Sequence, residues 1–356
     1  MGREENVLIF QDTERLSKTN GKLNADLKAS ASGQKLILET DALEKPNLNI
    51  YDEPAKVIVS KKRTFEAAKA YRDNKVAVHN FASASNPGGG VVRGSTAQEE
   101  CLCRCSYLYF CLNSPNMWDG FYTPHKQARN PLHNDDIIYT PEVTVFKSDT
   151  NNPALLPENE WYKVNVITCA APNLRAMPSN KHNTGDGKKA AKISDKEMLE
   201  IHEKRLRRIL DVAVSEGNDT VILGAFGCGA FMNKANIVAY AAKNVIKDYM
   251  HMFTVQLHKL CFHQLGGVVV PGNTDRLSPG ADSFKHNVNN FVQPVPVKLH
   301  ILHENVIGDI VLDDLPVNLI CALCFRFLSL PFRRRSRFSV RGRGGRGKDR
   351  NGMGTL

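Results

Sequence analysis

Two adjacent carboxylates, Glu99 and Glu100, follow Gln98 at the start of an apolar run, seven residues after the consecutive glycines Gly88, Gly89 and Gly90. Glycines without a Cβ let backbone N–H groups approach an anion and turn through positive φ. A helix start adds unpaired N–H groups and the positive end of its dipole. The dipole alone would lower a carboxyl pKa, whereas an ionised neighbour raises it and burial raises it further. A carboxyl kept protonated near neutral pH can give its proton to a leaving oxygen. Three glycines alone mark a loop, and acidic residues commonly decorate a first helical turn. Together, at this spacing, they suggest phosphate recognition beside a bond cleaved with the help of an acid.

The elements around them must hold that arrangement. Lys75 to Phe81 alternates as a strand and ends in Ser-Ala-Ser-Asn-Pro before the glycines, and a helix-like stretch runs on to Leu112. Upstream, Lys56 to Ser60 reads as a strand and Thr64 to Arg72 as a helix with a Thr cap, which makes a βαβ unit and predicts a parallel sheet. Thr13 to Leu27 suits a helix, and Gln34 to Leu43 is ambiguous. Asn113 to Asp136 reads as a long loop, Glu142 to Phe146 as a short strand and Tyr162 to Ala170 as a longer one. Met177 to Ile193 is a polar insertion whose GDGKK lacks the P-loop pattern, so a solvated loop is expected. Asp195 to Glu216 is an amphipathic helix. Its His202-Glu203 lacks the second His of a zinc-protease motif and reads as surface.

Thr220 to Gly224 is a further strand, followed by the loop GAFGCGAF over Gly224 to Phe231 and a helix over Ala235 to Met250. The strand–glycine loop–helix arrangement therefore occurs twice, and loops at the carboxyl ends of parallel strands are where an open α/β sheet binds ligands. Phe253 to Leu257 suits a last strand.

The run NPGGG, seven residues, then QEE resembles the signature of the poly(ADP-ribose) glycohydrolases, and NFASASNPGGG…AQEE resembles their microbial-type branch. GAFGCGAF is similar to that branch's second phosphate loop. The resemblance covers roughly Asn6 to Leu257. It implies an α/β macro-domain-like α/β/α sandwich, with a mixed, mostly parallel sheet and a helical N-terminal extension. It implies hydrolysis of the ribose–ribose bond of poly(ADP-ribose), with Glu100 as proton donor and Glu99 orienting ribose hydroxyls. Substrate contacts are implied for Asn86, Gly88, Gly89, Gly90, Val91, Gln98, Phe226, Gly227, Cys228, Gly229, Ala230 and Phe231. Both glycine loops would hold the diphosphate, with no metal and no cofactor. The alternatives are a reader that binds terminal ADP-ribose without cleaving it, and a hydrolase of mono-ADP-ribose linkages on protein or nucleic acid. An intact QEE disfavours the reader.

The 356 residues allow one large or two ordinary domains. The expected division is an N-terminal accessory region over 1–55, a catalytic domain over 56–258, a divergent region over 259–332 and a basic tail over 333–356. The net charge of +10 is concentrated there: residues 333–350 carry eight Arg, one Lys and one Asp, a net of +8, which leaves about +2 elsewhere. This RG-rich tail has a disordered composition and suits RNA or another polyanion, including poly(ADP-ribose). Leu315 to Phe332 is apolar, but Arg326 and two flanking prolines argue against a membrane span. Nine scattered cysteines and a charged N-terminus without an apolar core fit free thiols in a reducing compartment, cytoplasmic or nuclear. Cys101, Cys103 and Cys105, and the pair Cys321 and Cys324, read as packing thiols rather than metal ligands.

Overall fold

The computed structural model describes residues 2–44 and 49–253 and the backbone of 256–260. The apolar stretch 315–332, the Cys321/Cys324 pair and the basic tail lie outside the described residues. Among the described residues seven strands form one sheet: β1 (Lys35–Ile37), β2 (Lys56–Ser60), β3 (Val76–Ala82), β4 (Ile137–Val145), β5 (Tyr162–Ala170), β6 (Thr220–Leu223) and β7 (Gln256–Leu260). Their order is β1-β4-β5-β3-β6-β7-β2. From β5 to β2 every pairing is parallel, while β4 pairs antiparallel with both β5 and β1. The sheet is therefore mixed and mostly parallel.

The period-2 alternation of side chains sorts each central strand between two cores. Val76 and Val78 of β3, Val164 and Val166 of β5 and Ile222 of β6 face one core. Ala77, Ile167, Cys169, Val221 and Leu223 of the same strands face the other. The first core is closed by six short or N-terminal helices: α1 (Arg3–Thr19), α2 (Gly21–Ser32), α3 (Thr64–Ala68), α4 (Gln98–Cys105), α5 (Leu108–Leu112) and α6 (Pro115–Met117). The helix α7 (Thr123–Ala128) follows in the chain. The second core is closed by α8 (Asp195–Ser215) and α9 (Ala235–Ile246). The result is a helix–sheet–helix sandwich.

Several local expectations change. The N-terminal helix begins ten residues earlier than Thr13, at Arg3, because its buried face consists of Asn6, Phe10, Thr13 and Ser17 at helical spacing. That face is mostly small and polar, so it carries no apolar stripe. Asn20 breaks the run and caps α2 by accepting from the Leu23 N–H at 3.0 Å. Thr64 is not the cap of α3. Arg63 occupies that place, with its N–H donating to Glu66, while Asp149 accepts the Phe65 N–H at 3.0 Å. The stretch Asn113 to Asp136 is largely helical rather than a loop, because Pro115 and Pro124 sit where a first helical turn needs no N–H. The helix running towards Leu112 breaks at Ser106, which is extended and bridges to Val145. Strand β4 is longer than expected and crosses Pro141 and Glu142 on a bulge, with Asn165 accepting the Glu142 N–H at 2.9 Å.

Candidate active site

Strand β3 delivers the first loop, and α4 returns the carboxylates onto it. Gln98 is the staple: its Oε1 accepts from the Phe81 N–H at 2.9 Å, and its Nε2 donates to the His79 carbonyl at 2.7 Å and to Thr64 Oγ1 at 3.2 Å. All its polar atoms are thus engaged with the scaffold. Gln98 fixes the first turn of α4 against the end of β3, so it positions its neighbours rather than facing a ligand.

Glu99 and Glu100 are buried, at 3% and 7% exposure. Glu99 accepts from the Ser83 N–H at 2.8 Å and from Asn80 Nδ2 at 3.5 Å. Glu100 accepts the Gly90 N–H on Oε1 at 2.9 Å, while its Oε2 is buried with no partner. A Cβ on Gly89, which sits at φ +58°, would stand 2.6 Å from Glu100 Oε1 and 3.1 Å from Glu99 Oε2. Only glycine allows the loop to lie this close to both acids. Burial raises the pKa of each carboxyl. For Glu99 the charge of Glu100 adds to that, and its pKa rises well above the usual carboxylate range; for Glu100 hydrogen bonds from backbone N–H groups, Gly90 first, oppose the rise.

The first loop therefore spends its N–H groups internally. The Gly90 N–H goes to Glu100, that of Gly89 to the Asn86 carbonyl and that of Val91 to the Gly88 carbonyl. This departs from the expectation that both loops cradle phosphate. The second loop differs. Phe226 and Cys228 donate within it, but the N–H groups of Gly229, Ala230 and Phe231 make no hydrogen bond among the described residues. Asn233 holds this loop in place: Nδ2 donates to the Pro172 carbonyl at 2.7 Å and to that of Gly227 at 3.0 Å, and Oδ1 meets His202 Nε2 at 2.9 Å.

The two loops face each other across a cleft of about 590 Å³ including its open mouth, lined by Phe81, Ala82, Ser83, Gly89, Ala97, Glu99, Glu100, Ala171, Ala225, Gly227, Gly229, Ala230 and Phe231. Its size suits a small-molecule ligand. Of the residues singled out in the sequence, Gly89, Glu99, Glu100, Gly227, Gly229, Ala230 and Phe231 come together on its wall. Asn86, Gly88, Gly90, Val91 and Cys228 support the loops behind it. Phe226 lies deeper, edge-on to His79 (ring centroids 4.4 Å apart) and to His202 (5.7 Å). His202 is accordingly buried rather than on the surface, because α8 turns it inward to hold Asn233; burial lowers its pKa to about 4 and that of His79 to about 3.

The insertion from Met177 to Ile193 is also less solvated than its composition suggests. Asp186 is buried and accepts from Asn173 Nδ2 at 2.7 Å and from Ser85 Oγ at 3.3 Å, with His133 Nε2 3.4 Å away. Ser85 also donates to Asn183 at 2.7 Å. The insertion is thereby tied to the first glycine loop. Asn80, Ser83, Ser85, Asn233 and Asp186 were not singled out as site residues. Their signal in the sequence is weak: polar residues in and just after β3, one asparagine after the second glycine loop, and one acid in a polar run. Among the described residues no group of three or more His, Cys, Asp or Glu could hold a metal ion, and Cys101, Cys103, Cys105, Cys111, Cys169 and Cys228 form no disulfide. No helix among the described residues is long and apolar enough to cross a membrane.

The raised pKa of Glu99 has a measurable cost. Below its ordinary value near 4.5 the group is protonated folded and unfolded alike and contributes nothing. As pH rises from there to the raised native value, the unfolded chain ionises first and stability falls. Glu99→Gln is expected to raise Tm at neutral pH, because the amide has no proton to lose when the chain unfolds. The gain should vanish near pH 4. Thermal melts across that range check it, and a gain independent of pH would show that ionisation is not the cause.

The macro-like α/β sandwich thus carries an acid pair on one wall of its cleft and a second glycine loop on the other. The family model described as the microbial-type PARG catalytic domain matches residues 5–148. The poly(ADP-ribose) glycohydrolase (PARG) of Deinococcus radiodurans, solved in complex with ADP-ribose, is 32% identical, with 67% of this chain and 91% of that chain covered and a TM-score of 0.54. The enzyme of Thermomonospora curvata is 27% identical, covering 72% of this chain and 93% of that chain at a TM-score of 0.61. It has also been solved with the inhibitor ADP-HPD, at a TM-score of 0.59 and the same identity and coverage. Comparison with curated protein sequences returned no match. The chain belongs to the microbial-type PARG family.

Proposed function

We propose that this chain hydrolyses the ribose–ribose O-glycosidic bond of poly(ADP-ribose) and releases ADP-ribose. The observation that carries this reading is the buried, pKa-raised Glu100, whose Oε2 has no partner among the described residues, across the cleft from three N–H groups that likewise make no hydrogen bond there. The N–H groups of Gly229, Ala230 and Phe231 receive the diphosphate, and Phe231 packs against the ligand. Glu99, held by Ser83 and Asn80, accepts hydrogen bonds from ribose hydroxyls. Glu100 gives its proton to the leaving ribose oxygen as the anomeric C–O bond breaks, and the remaining charge stabilises the oxocarbenium-like centre. The resulting carboxylate then takes a proton from water as that water attacks, which restores the acid. ADP-ribose bound to the D. radiodurans relative and ADP-HPD bound to the T. curvata relative support a ligand of this chemistry.

The test is incubation with labelled poly(ADP-ribose) and separation of the products. Accumulation of ADP-ribose is expected. Intact polymer together with tight ADP-ribose binding would identify a reader, and release only from mono-ADP-ribosylated protein or nucleic acid would identify the other linkage. ADP-ribose should also stabilise the fold, by about 2.7 kcal/mol at a hundred times its Kd. A melt that does not respond to ADP-ribose would remove the nucleotide from the cleft.

A further inference from the structure

We propose that Arg3, Arg93 and Lys181 form a second phosphate subsite beside the cleft, which holds the diphosphate of the neighbouring ADP-ribose unit of a polymer. This rests on the polymer reading of the cleft and names the route the rest of the chain takes.

Three separate segments bring these cations together. Arg93 follows the catalytic glycines, and its Nη2 lies 3.6 Å from where a Cβ on Gly90 would stand. Gly90 is the residue whose N–H holds Glu100, so the guanidinium sits next to the acid's own support. Arg3 opens α1, and its carbonyl lies 2.1 Å from where a Cβ on Gly94 would stand, while Asn6 Nδ2 donates to the Gly94 carbonyl at 3.3 Å. The start of α1 is thereby fastened to the exit of the catalytic loop. Lys181 comes from the insertion, on a tight turn in which Asn180 and Asn183 exchange backbone hydrogen bonds at 2.7 and 3.1 Å. That turn is anchored to the catalytic loop by Ser85 and Asp186.

Arg3, Arg93, Lys181 and His182 are exposed, and none makes an ion pair among the described residues. The pKa of His182 is lowered by local desolvation and by the charges of Arg93, Lys181 and Arg3, in line with the tie of all three segments to the first glycine loop. Unpaired cations gathered on rigid supports form a field rather than the usual salt-bridged surface, and such a field concentrates an anionic chain. Poly(ADP-ribose) carries two phosphates per unit, and the unit in the cleft uses the second glycine loop. The next diphosphate along the chain then meets Arg93, which lies beside the Gly90 that holds Glu100.

The test compares the triple variant Arg3→Gln, Arg93→Gln, Lys181→Gln with the unchanged patch, both carrying Glu100→Gln so that slow cleavage does not confuse binding. Each is titrated with ADP-ribose and with a labelled ADP-ribose oligomer at about 50 and about 200 mM salt. The triple variant should bind the oligomer about 10-fold or more weakly, with the slope of log K against log salt shallower by about 2. Its affinity for ADP-ribose should stay within about 2-fold, since the second glycine loop is untouched. Unchanged oligomer affinity, or an equal loss for ADP-ribose, would overturn the subsite. So would a single-stranded RNA of equal phosphate number binding as tightly as the oligomer. Polymer cleavage by the wild-type chain is scored separately, so a patch-dependent binder that does not cleave would sink the hydrolase reading and leave the subsite standing.

Discussion

Glu100→Gln is expected to lower polymer turnover by about 10³–10⁴-fold while ADP-ribose affinity stays close to wild type. The amide keeps the shape and can still accept the Gly90 N–H through its oxygen, but it has no acid proton to give. A ribose oxygen leaving as an alkoxide is too basic to depart without that proton. General acid–base help is worth roughly 10²–10⁴-fold, and one group acting first as acid and then as base places the loss at the upper end. Single-turnover kinetics with labelled polymer read the rate, and a melt with ADP-ribose reads the binding. Turnover near the wild-type rate would move the acid role elsewhere, Glu99 being the other carboxyl in reach. Glu99→Gln should also slow turnover, because it replaces one of the two oxygens that Ser83 and Asn80 hold in place towards the ribose.

The second large effect belongs to the opposite wall. Gly229→Asp should abolish the ADP-ribose-induced rise in Tm while the unliganded melt changes little. Gly229 lines the cleft, and its N–H is one of the three that make no hydrogen bond among the described residues. An aspartate there adds a negative charge where a phosphate must sit. Two like charges about 4 Å apart at an effective dielectric near 20 repel by about 4 kcal/mol, roughly a thousand-fold in affinity. Gly227→Ala makes a useful partner, because its Cβ at φ +73° would stand 2.6 Å from Ala171 Cβ and from Asn233 Nδ2 and displace the whole loop. That variant should lose stability as well as binding, whereas Gly229→Asp should lose binding alone. An undiminished ligand shift in Gly229→Asp would remove the second loop from the site.

The parts of this molecule that were legible in the sequence are those where one residue type has few alternatives. Strand β5 runs from Tyr162 to Ala170 as its valines and isoleucine predict, and three consecutive glycines leave little but a loop. The acids fall on the first turn of α4 because QEE lies just ahead of an apolar run. The parts missed share a different property: their residues act through a distant partner. Asn6 and Thr13 make an N-terminal helix face whose purpose appears only when Gly94 and the Arg104 carbonyl meet it. Asp186 sits in a run of lysines and asparagines, and only His133, Asn173 and Ser85 from elsewhere make it a buried acid. Gln98 is the instructive intermediate. Its position in the motif was plain, but its task, stapling β3 to α4, depends on a register that periodicity does not carry.

The edge strand β2 has a consequence for how the chain is made. Its ladder is with β7, from Lys56 against Gln256 to Ser60 against Leu260. On a ribosome adding about 5–20 residues per second, that partner emerges roughly 200 residues, or about 10–40 s, after β2 does. Through that interval the segment KVIVS is a short β-prone strand without its partner, the kind that templates association between nascent chains. Lys56 at one end and Lys61 and Lys62 just past the other bracket it with positive charge, the arrangement that discourages such pairing. Production of shortened forms therefore has a sharp lower bound. A chain ended before Gln256 keeps both walls of the cleft but leaves β2 without its neighbour, and such a product should fail by clumping during synthesis rather than by losing its chemistry.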